Sequence, residues 1–121
     1  MHTNSNESAE NYLETILILS REHPVVRAVD IANELDFKKS SVSVAMKKLR
    51  EGGHIEVSPE GYITLTRSGR EIADRIYERH QLISTWLIRL GVDPDTAAAD
   101  ACRMEHVISS ESFEAIKRHI K

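Results

Sequence analysis

The sequence predicts a mostly α-helical protein, and three observations carry that expectation. Aliphatic and small residues dominate the 40% hydrophobic fraction while aromatics reach only 5%, so Leu, Ile, Val and Ala must fill the core, which suits packed helices better than a sheet sandwich. Gly and Pro number only five and three in 121 residues, leaving long stretches uninterrupted. Apolar residues recur at helical spacing through most of those stretches. The length allows one substantial domain or two small ones and is short for most large enzyme folds. With 29% charged residues the composition is that of a globular chain rather than a disordered or collagen-like one.

A first helix is expected from about Ser8 to Arg21, with Ser8 as its cap, Glu10 and Glu14 favouring its N-terminal half, and Leu13, Ile16, Leu17 and Ser20 along one face. His23-Pro24 ends it. Val29 to Leu35 reads as a short helix with Val29, Ile31, Ala32 and Leu35 inward. Ser40-Ser41 is a capping pair before Val42, Ala45, Met46 and Leu49, which give a third helix that stops at Gly52-Gly53. The runs His54–Val57 and Tyr62–Leu65, separated by Ser58-Pro59-Glu60-Gly61, predict a β-hairpin. Thr66 then caps a long helix with Ile72, Ile76, Ile83, Leu87 and Leu90 on one stripe and Tyr77 and Trp86 beside it. Such a helix would exceed roughly 30 Å at about 1.5 Å per residue. It carries more apolar surface than so small a chain can cover, which implies a partner chain. Gly91 stops it, and Asp93-Pro94 opens a helix expected to continue to about Ser109. A final helix is expected from Ser112 to Lys121.

Helix, helix, basic helix and hairpin in that order make a winged helix-turn-helix, expected over residues 1–70, with a helical domain over residues 71–121. Net charge is −3, from 16 basic and 19 acidic residues, which by itself speaks against a polyanion partner. The average conceals a segregation, because Lys38, Lys39, Lys47, Lys48 and Arg50 lie in one stretch without an acid. The stretch from Val92 onward is net acidic. A local basic stripe on the third helix suits a major groove of double-stranded DNA, where Ser40, Ser41, Ser43 and Val44 would lie nearest the bases and Lys38, Lys39, Lys47 and Lys48 nearest the phosphates. An ordinary solvated helix face is the alternative.

Cys102, Glu105 and His106 stand at i, i+3 and i+4, so on a helix their thiol, carboxylate and imidazole share a face. Those are metal-ligand types, although a packed thiol beside a solvated Glu and His fits the spacing as well. Asn11 and Glu14 on the first helix and His80 on the long one are weaker candidates. The longest apolar run, Ile16 to Leu19, is far short of the roughly 20 residues that span a bilayer. Met1 to Glu7 lack the pattern of a secretory signal. One cysteine cannot form an internal disulfide, in keeping with a reducing, cytoplasmic setting.

Glu10-Asn11-Tyr12-Leu13-Glu14-Thr15-Ile16, the helix-turn-helix, Arg79-His80 and Ala101-Cys102-Arg103-Met104-Glu105-His106-Val107 together resemble the metal-dependent repressors of the diphtheria toxin repressor and manganese transport regulator type. The resemblance runs from Ser8 onward. It implies a winged-helix DNA-binding domain and a helical dimerisation domain, with metal ligands at Asn11, Glu14, His80, Cys102, Glu105 and His106. It further implies a homodimer on a DNA operator that represses metal-homeostasis genes. Glu14 and His80 could equally serve a neighbouring second site. The iron-sensing branch has Met at the position of Asn11 and the manganese-sensing branch Asp; Asn still offers a carbonyl oxygen to a hard ion. Cys102 matches the iron branch, where the manganese branch has Glu. Thiolate ligation shifts preference away from Mn2+ toward Fe2+, Co2+ or Zn2+; Fe2+ is the favoured expectation, with Mn2+ next. The SH3-like third domain of longer relatives is not expected within these residues.

Two rival readings follow from the same residues. One is a metal-independent winged-helix regulator in which Cys102 is a redox sensor or a packed thiol. The other is a zinc hydrolase built on the Cys/Glu/His set, which the lack of a Gly-rich phosphate loop or nucleophile motif disfavours. The expectation is therefore a protein that is not an enzyme.

Overall fold

The computed structural model describes residues 5–120. The expectations for Met1 to Glu7 and for a last helix reaching Lys121 fall partly outside them. The described residues form α1 (Ser5–Glu22), α2 (Ala28–Leu35), α3 (Lys39–Glu51), β1 (Ile55–Val57), β2 (Ile63–Leu65), α4 (Arg67–Arg89), α5 (Pro94–Met104) and α6 (Ser110–Ile120). The mostly α class and the winged helix-turn-helix are as the sequence predicts. The chain divides into two compact units, one ending at Asp74 and one beginning at Arg75.

In the first unit α1 is the central element, buried on nearly every side from Tyr12 to Leu17. It packs on α2 and β2, while α3 packs on α2 and β1. Leu13, Ile16 and Leu17 meet Ile31, Val42, Ile55 and Ile63 as the fully buried aliphatic core, whose removal from water is the main stabilising contribution. Burial also raises the pKa of the Tyr12 phenol. Helix α1 starts before Ser8, so Ser8 is a helical residue and not its cap. Val29 is 36% exposed, contrary to the inward placement expected, because a residue two positions from buried Ile31 points to the opposite side of a helix.

The turn between α2 and α3 is closed by Asp36 in the left-handed region, φ 57°, a conformation usually left to glycine. Its amide and that of Phe37 both return to the Ala32 carbonyl. The N-cap of α3 is Lys38, with no side-chain capping bond, so Ser40 and Ser41 do not cap the helix but lie in its first turn. Glu51 and Gly52 end it as expected.

The hairpin pairs Ile55 with Leu65 and Val57 with Ile63, and the Ile63 amide also donates to the Val26 carbonyl at 2.7 Å. Gly61, at φ +87°, supplies a turn conformation that a side chain would oppose. Thr66 caps α4, its Oγ1 accepting from the Gly69 amide at 3.3 Å.

In the second unit the buried positions of α4 are Ile76, Arg79 and Ile83, three and four residues apart. Leu90 lies past the end of the helix and is 64% exposed, so the predicted stripe stops short of it. Asp93 caps α5, its carboxylate accepting from the Asp95 and Thr96 amides at 3.0 and 3.3 Å. Asp93→Ala should lower stability by about 1 kcal/mol, the usual value of such a cap, read as a reduced urea midpoint at unchanged slope. Helix α5 ends at Met104 and not near Ser109. Ser109 instead serves the next helix, its Oγ accepting from the Ser112 amide at 3.0 Å. Lys117 on α6 donates to Glu78 on α4 at 2.7 Å, and that bond raises the Lys117 pKa. Among the described residues no helix is long and apolar enough to cross a membrane.

Candidate functional site

The last turn of α5 brings two predicted ligands to its C-terminus. Glu105 is the C-cap residue, its amide still bonded to the Ala101 carbonyl, and the Val107 and Ile108 amides both return to the Met104 carbonyl at 3.1 Å. The carbonyls left over by the end of the helix would be orphaned. Arg79 of α4 takes them. Its Nη1 donates to Glu105 O at 3.1 Å and Ile108 O at 2.8 Å, and its Nη2 to Ser110 Oγ at 3.3 Å. Sequence reasoning does not single out Arg79 beyond its place in the Arg79-His80 motif. The signal was present, since Arg79 stands in register with Ile76 and Ile83, where a solvated charge does not belong.

His80, the next residue of α4, places Nδ1 3.2 Å from Glu105 Oε2. His106 Nε2 lies 3.5 Å from Glu105 Oε1. The Glu105 side chain is 0% exposed and that of His106 3%, while His80 is about one-quarter open. Cys102, one turn back, is exposed and in no disulfide. One donor atom each from Cys102, Glu105 and His106 falls within 4.8 Å of the others. Typical bonds of 2.0–2.3 Å place donors to one ion at most roughly 4.6 Å apart, so this cluster has the dimensions of a metal site.

Neither Glu105 oxygen receives a hydrogen bond. A buried carboxylate in that state is strongly disfavoured unless a cation or a set of donors answers it. Imidazole nitrogens and a thiol are poor apolar lining and good ligands, so the residues fit a transition ion better than Ca2+ or Mg2+, which take oxygen alone. The structure therefore brings together His80, Cys102, Glu105 and His106. Asn11 and Glu14 sit one turn apart on α1 in the first unit, Asn11 half-buried and Glu14 5% exposed.

Every residue expected at the DNA, Lys38, Lys39, Ser40, Ser41, Ser43, Val44, Lys47 and Lys48, is exposed. The opposite face of α3 is buried through Val42, Met46 and Leu49. The helix thus turns its cations and short hydroxyls outward while its aliphatic residues hold it in place. Arg27, which sequence reasoning did not single out, ties the hairpin to the start of α2 through Tyr62, with Nη2 3.2 Å from the phenol oxygen and the guanidinium 4.9 Å from the ring centroid.

A winged helix-turn-helix with an outward basic helix, joined to a helical unit that carries a Cys/Glu/His cluster, is the build of a metal-dependent DNA-binding regulator. Residues 5–62 match the iron dependent repressor N-terminal DNA binding domain, and residues 66–121 match the iron dependent repressor metal binding and dimerisation domain. The chain belongs to the iron dependent repressor family, the group that its motifs resemble. It is 36% identical over 114 residues to an uncharacterized HTH-type transcriptional regulator of Methanocaldococcus jannaschii, covering 93% of this chain and 91% of that protein. It is 36% identical over 109 residues to the transcriptional regulator MntR of Salmonella typhi, covering 90% and 69%. Among solved structures, a manganese-dependent transcriptional repressor in complex with manganese superposes with a TM-score of 0.84 at 29% identity over 92% of this chain. The manganese regulator SloR gives 0.82 at 26% identity over 99%. This chain spans about half the length of those two, 51% and 54%.

Proposed function

We propose that this chain is a divalent-metal-responsive transcriptional repressor of metal-homeostasis genes, active as a homodimer on double-stranded DNA in the cytoplasm. The observation that carries the reading is the buried Glu105 carboxylate, flanked by His80, His106 and Cys102 and without a hydrogen-bond donor. Its ligands are His80, Cys102, Glu105 and His106, with Asn11 and Glu14 of α1 completing the set as the family resemblance implies. Residues 1–70 bind DNA, and residues 71–121 hold metal and pair with a second copy. The exposed Ile88 at 45% and the groove where Leu82, Thr85 and Ile120 are rimmed by Glu78, Gln81 and Arg89 support a partner surface on the second unit.

A divalent ion held by these residues would supply the positive charge that the buried Glu105 carboxylate needs beside it and would tie together ligands from separate helices. The rest is the work of the chain. Lys38, Lys39, Lys47 and Lys48 neutralise phosphates, and Ser40, Ser41, Ser43 and Val44 approach base edges. In a dimer the two α3 helices would enter successive major grooves roughly 34 Å apart. Ordering the ligand helices raises the population of that arrangement, and the usual coupling of about 1–3 kcal/mol changes operator affinity about 5- to 150-fold.

Fe2+ is proposed as the favoured ion and Mn2+ as the next, because a thiolate at position 102 discriminates against Mn2+; the two solved relatives carry manganese in their names. The test is a DNA-binding titration of anaerobically prepared protein with duplexes selected from a randomised library in the presence of Fe2+ or Mn2+. Affinity should fall at least fivefold when a chelator is added, with Fe2+ effective at lower concentration than Mn2+. Equal affinity with and without chelator would leave only a metal-independent regulator.

A further inference from the structure

Arg79 is 8% exposed and occupies a stripe position that Ile or Leu would fill at lower electrostatic penalty. Its Nε is buried with no acceptor. A guanidinium placed for stability alone would be poorly served here. What it does instead is specific: one nitrogen bridges the carbonyls of Glu105 and Ile108, at 3.1 and 2.8 Å, and the other reaches Ser110 Oγ at 3.3 Å. The Phe113 ring centroid lies 5.3 Å from the guanidinium carbon and fixes the plane of the fork. These contacts span the segment that contains Glu105 and His106, from the end of α5 to the start of α6. The neighbouring residue on α4, His80, meets the Glu105 side chain at 3.2 Å. Two successive residues of one helix thus grip the same turn, one by its backbone and the other by its carboxylate.

We propose that Arg79 is a positioning residue for the metal ligands, holding the Glu105–Ser110 turn so that the Glu105 carboxylate and His106 imidazole converge before any ion arrives. The proposal rests on the metal-site reading above. It follows from the geometry that Arg79 touches no donor atom and acts through the main chain of one ligand. Groups that orient metal ligands in this way typically change metal affinity by 10- to 100-fold when removed. The planar fork matters, because an ammonium lacks two fixed prongs.

The experiment compares the unaltered chain with Arg79→Met and Arg79→Lys, using Co2+ as the probe and its thiolate charge-transfer and d–d absorption as readouts. Arg79→Met keeps the apolar stem against Phe113 and removes a buried charge, which offsets the loss of donors to the Glu105 and Ile108 carbonyls, so thermal stability without metal should change little. Its Co2+ affinity should nevertheless drop about 10- to 100-fold with an altered spectrum. Arg79→Lys should weaken Co2+ binding about tenfold, which covers the case in which the Met variant does not fold. Amide exchange in metal-free protein should quicken at Val107 and Ile108 in either variant. Wild-type Co2+ affinity and spectrum in a folded variant, or unchanged exchange at those amides, would overturn the proposal. Failure of the unaltered chain to bind Co2+ would instead strike the metal-site reading, and the exchange measurement would still decide the role of Arg79.

Discussion

Glu105→Gln is expected to raise the melting temperature of the metal-free protein while abolishing the further rise that Fe2+ or Mn2+ gives to the unaltered chain. Both signs come from one group. The Glu105 side chain is 0% exposed, and neither of its oxygens receives a hydrogen bond, so without a cation the folded state carries a buried charge poorly answered. Replacing a buried charge without donors by a neutral group of the same shape relieves its desolvation penalty, on the order of 1–3 kcal/mol or more. The amide of Gln can donate to an imidazole nitrogen of His80 or His106, which the carboxylate cannot. With metal the sign reverses, since a ligand present at 100 times its dissociation constant adds about 2.7 kcal/mol to the stability of the state that binds it. The variant forfeits that addition. Thermal unfolding followed by circular dichroism, with chelator and with excess metal, reads both effects. A variant that is less stable than the parent in chelator would mean that imidazolium neighbours hold the carboxylate, and a metal-induced rise that survives would place the ion elsewhere.

This opposition of stability and function is what a sensor requires. A site that was fully satisfied when empty would bind metal weakly, because the ion would then have to displace bonds of comparable strength. The Glu105 cluster leaves its deficit in place, and the surrounding bonds of Arg79 keep the turn from relaxing it away. The positions of greatest local cost and of proposed function coincide, as expected where chemistry and not packing dictates the residue.

Much of this was legible along the chain. Asp93-Pro94, Thr66 and Gly91 mark their helix ends through backbone chemistry that needs no distant partner, and the structure places the ends there. The spacing of Cys102, Glu105 and His106 anticipates the cluster because i, i+3 and i+4 converge at the end of a helix nearly as well as within it. What failed depends on tertiary contacts. The end of α5 at Met104 is set with the help of Arg79, 26 positions before Glu105, and no local pattern encodes it. Val29 and Leu90 are different: Val29 points outward because it stands two positions from buried Ile31, and Leu90 because α4 stops at Arg89. Asp36 closes the α2–α3 turn without glycine, so composition gave no warning of a left-handed residue there. The choice of ion stayed open for a chemical reason: Cys102 draws the site toward Fe2+, whereas Asn11 offers only a neutral carbonyl oxygen.

Gly69→Ala presents the case in which local and tertiary effects disagree in sign. Gly69 lies in the first turn of α4, and by helix propensity alone alanine would be favoured there by about 1 kcal/mol. A Cβ on that residue, however, would stand 2.0 Å from the His54 carbonyl oxygen and 3.0 Å from its carbonyl carbon. The obstacle is backbone, and it is held on both sides. The His54 amide donates to Leu49 O at 3.0 Å and its carbonyl accepts from the Thr66 amide at 3.1 Å, while Thr66 Oγ1 donates to Gly53 O at 2.7 Å. Relief therefore requires the end of α3, the start of the hairpin and the cap of α4 to separate together. Steric intrusion into packed structure typically costs about 1–3 kcal/mol, and the loss of the Thr66 cap adds about 1 kcal/mol, which outweighs the propensity gain. The expected result is a net loss of about 1–3 kcal/mol, a fall of roughly 4–24 °C in the midpoint for a unit of this size. Gly69→Ser should behave alike, since the obstruction is the Cβ that both share. Urea unfolding followed through the first unit measures it, and a midpoint equal to or above that of the parent chain would show that α4 does not pack on the His54 backbone as closely as described.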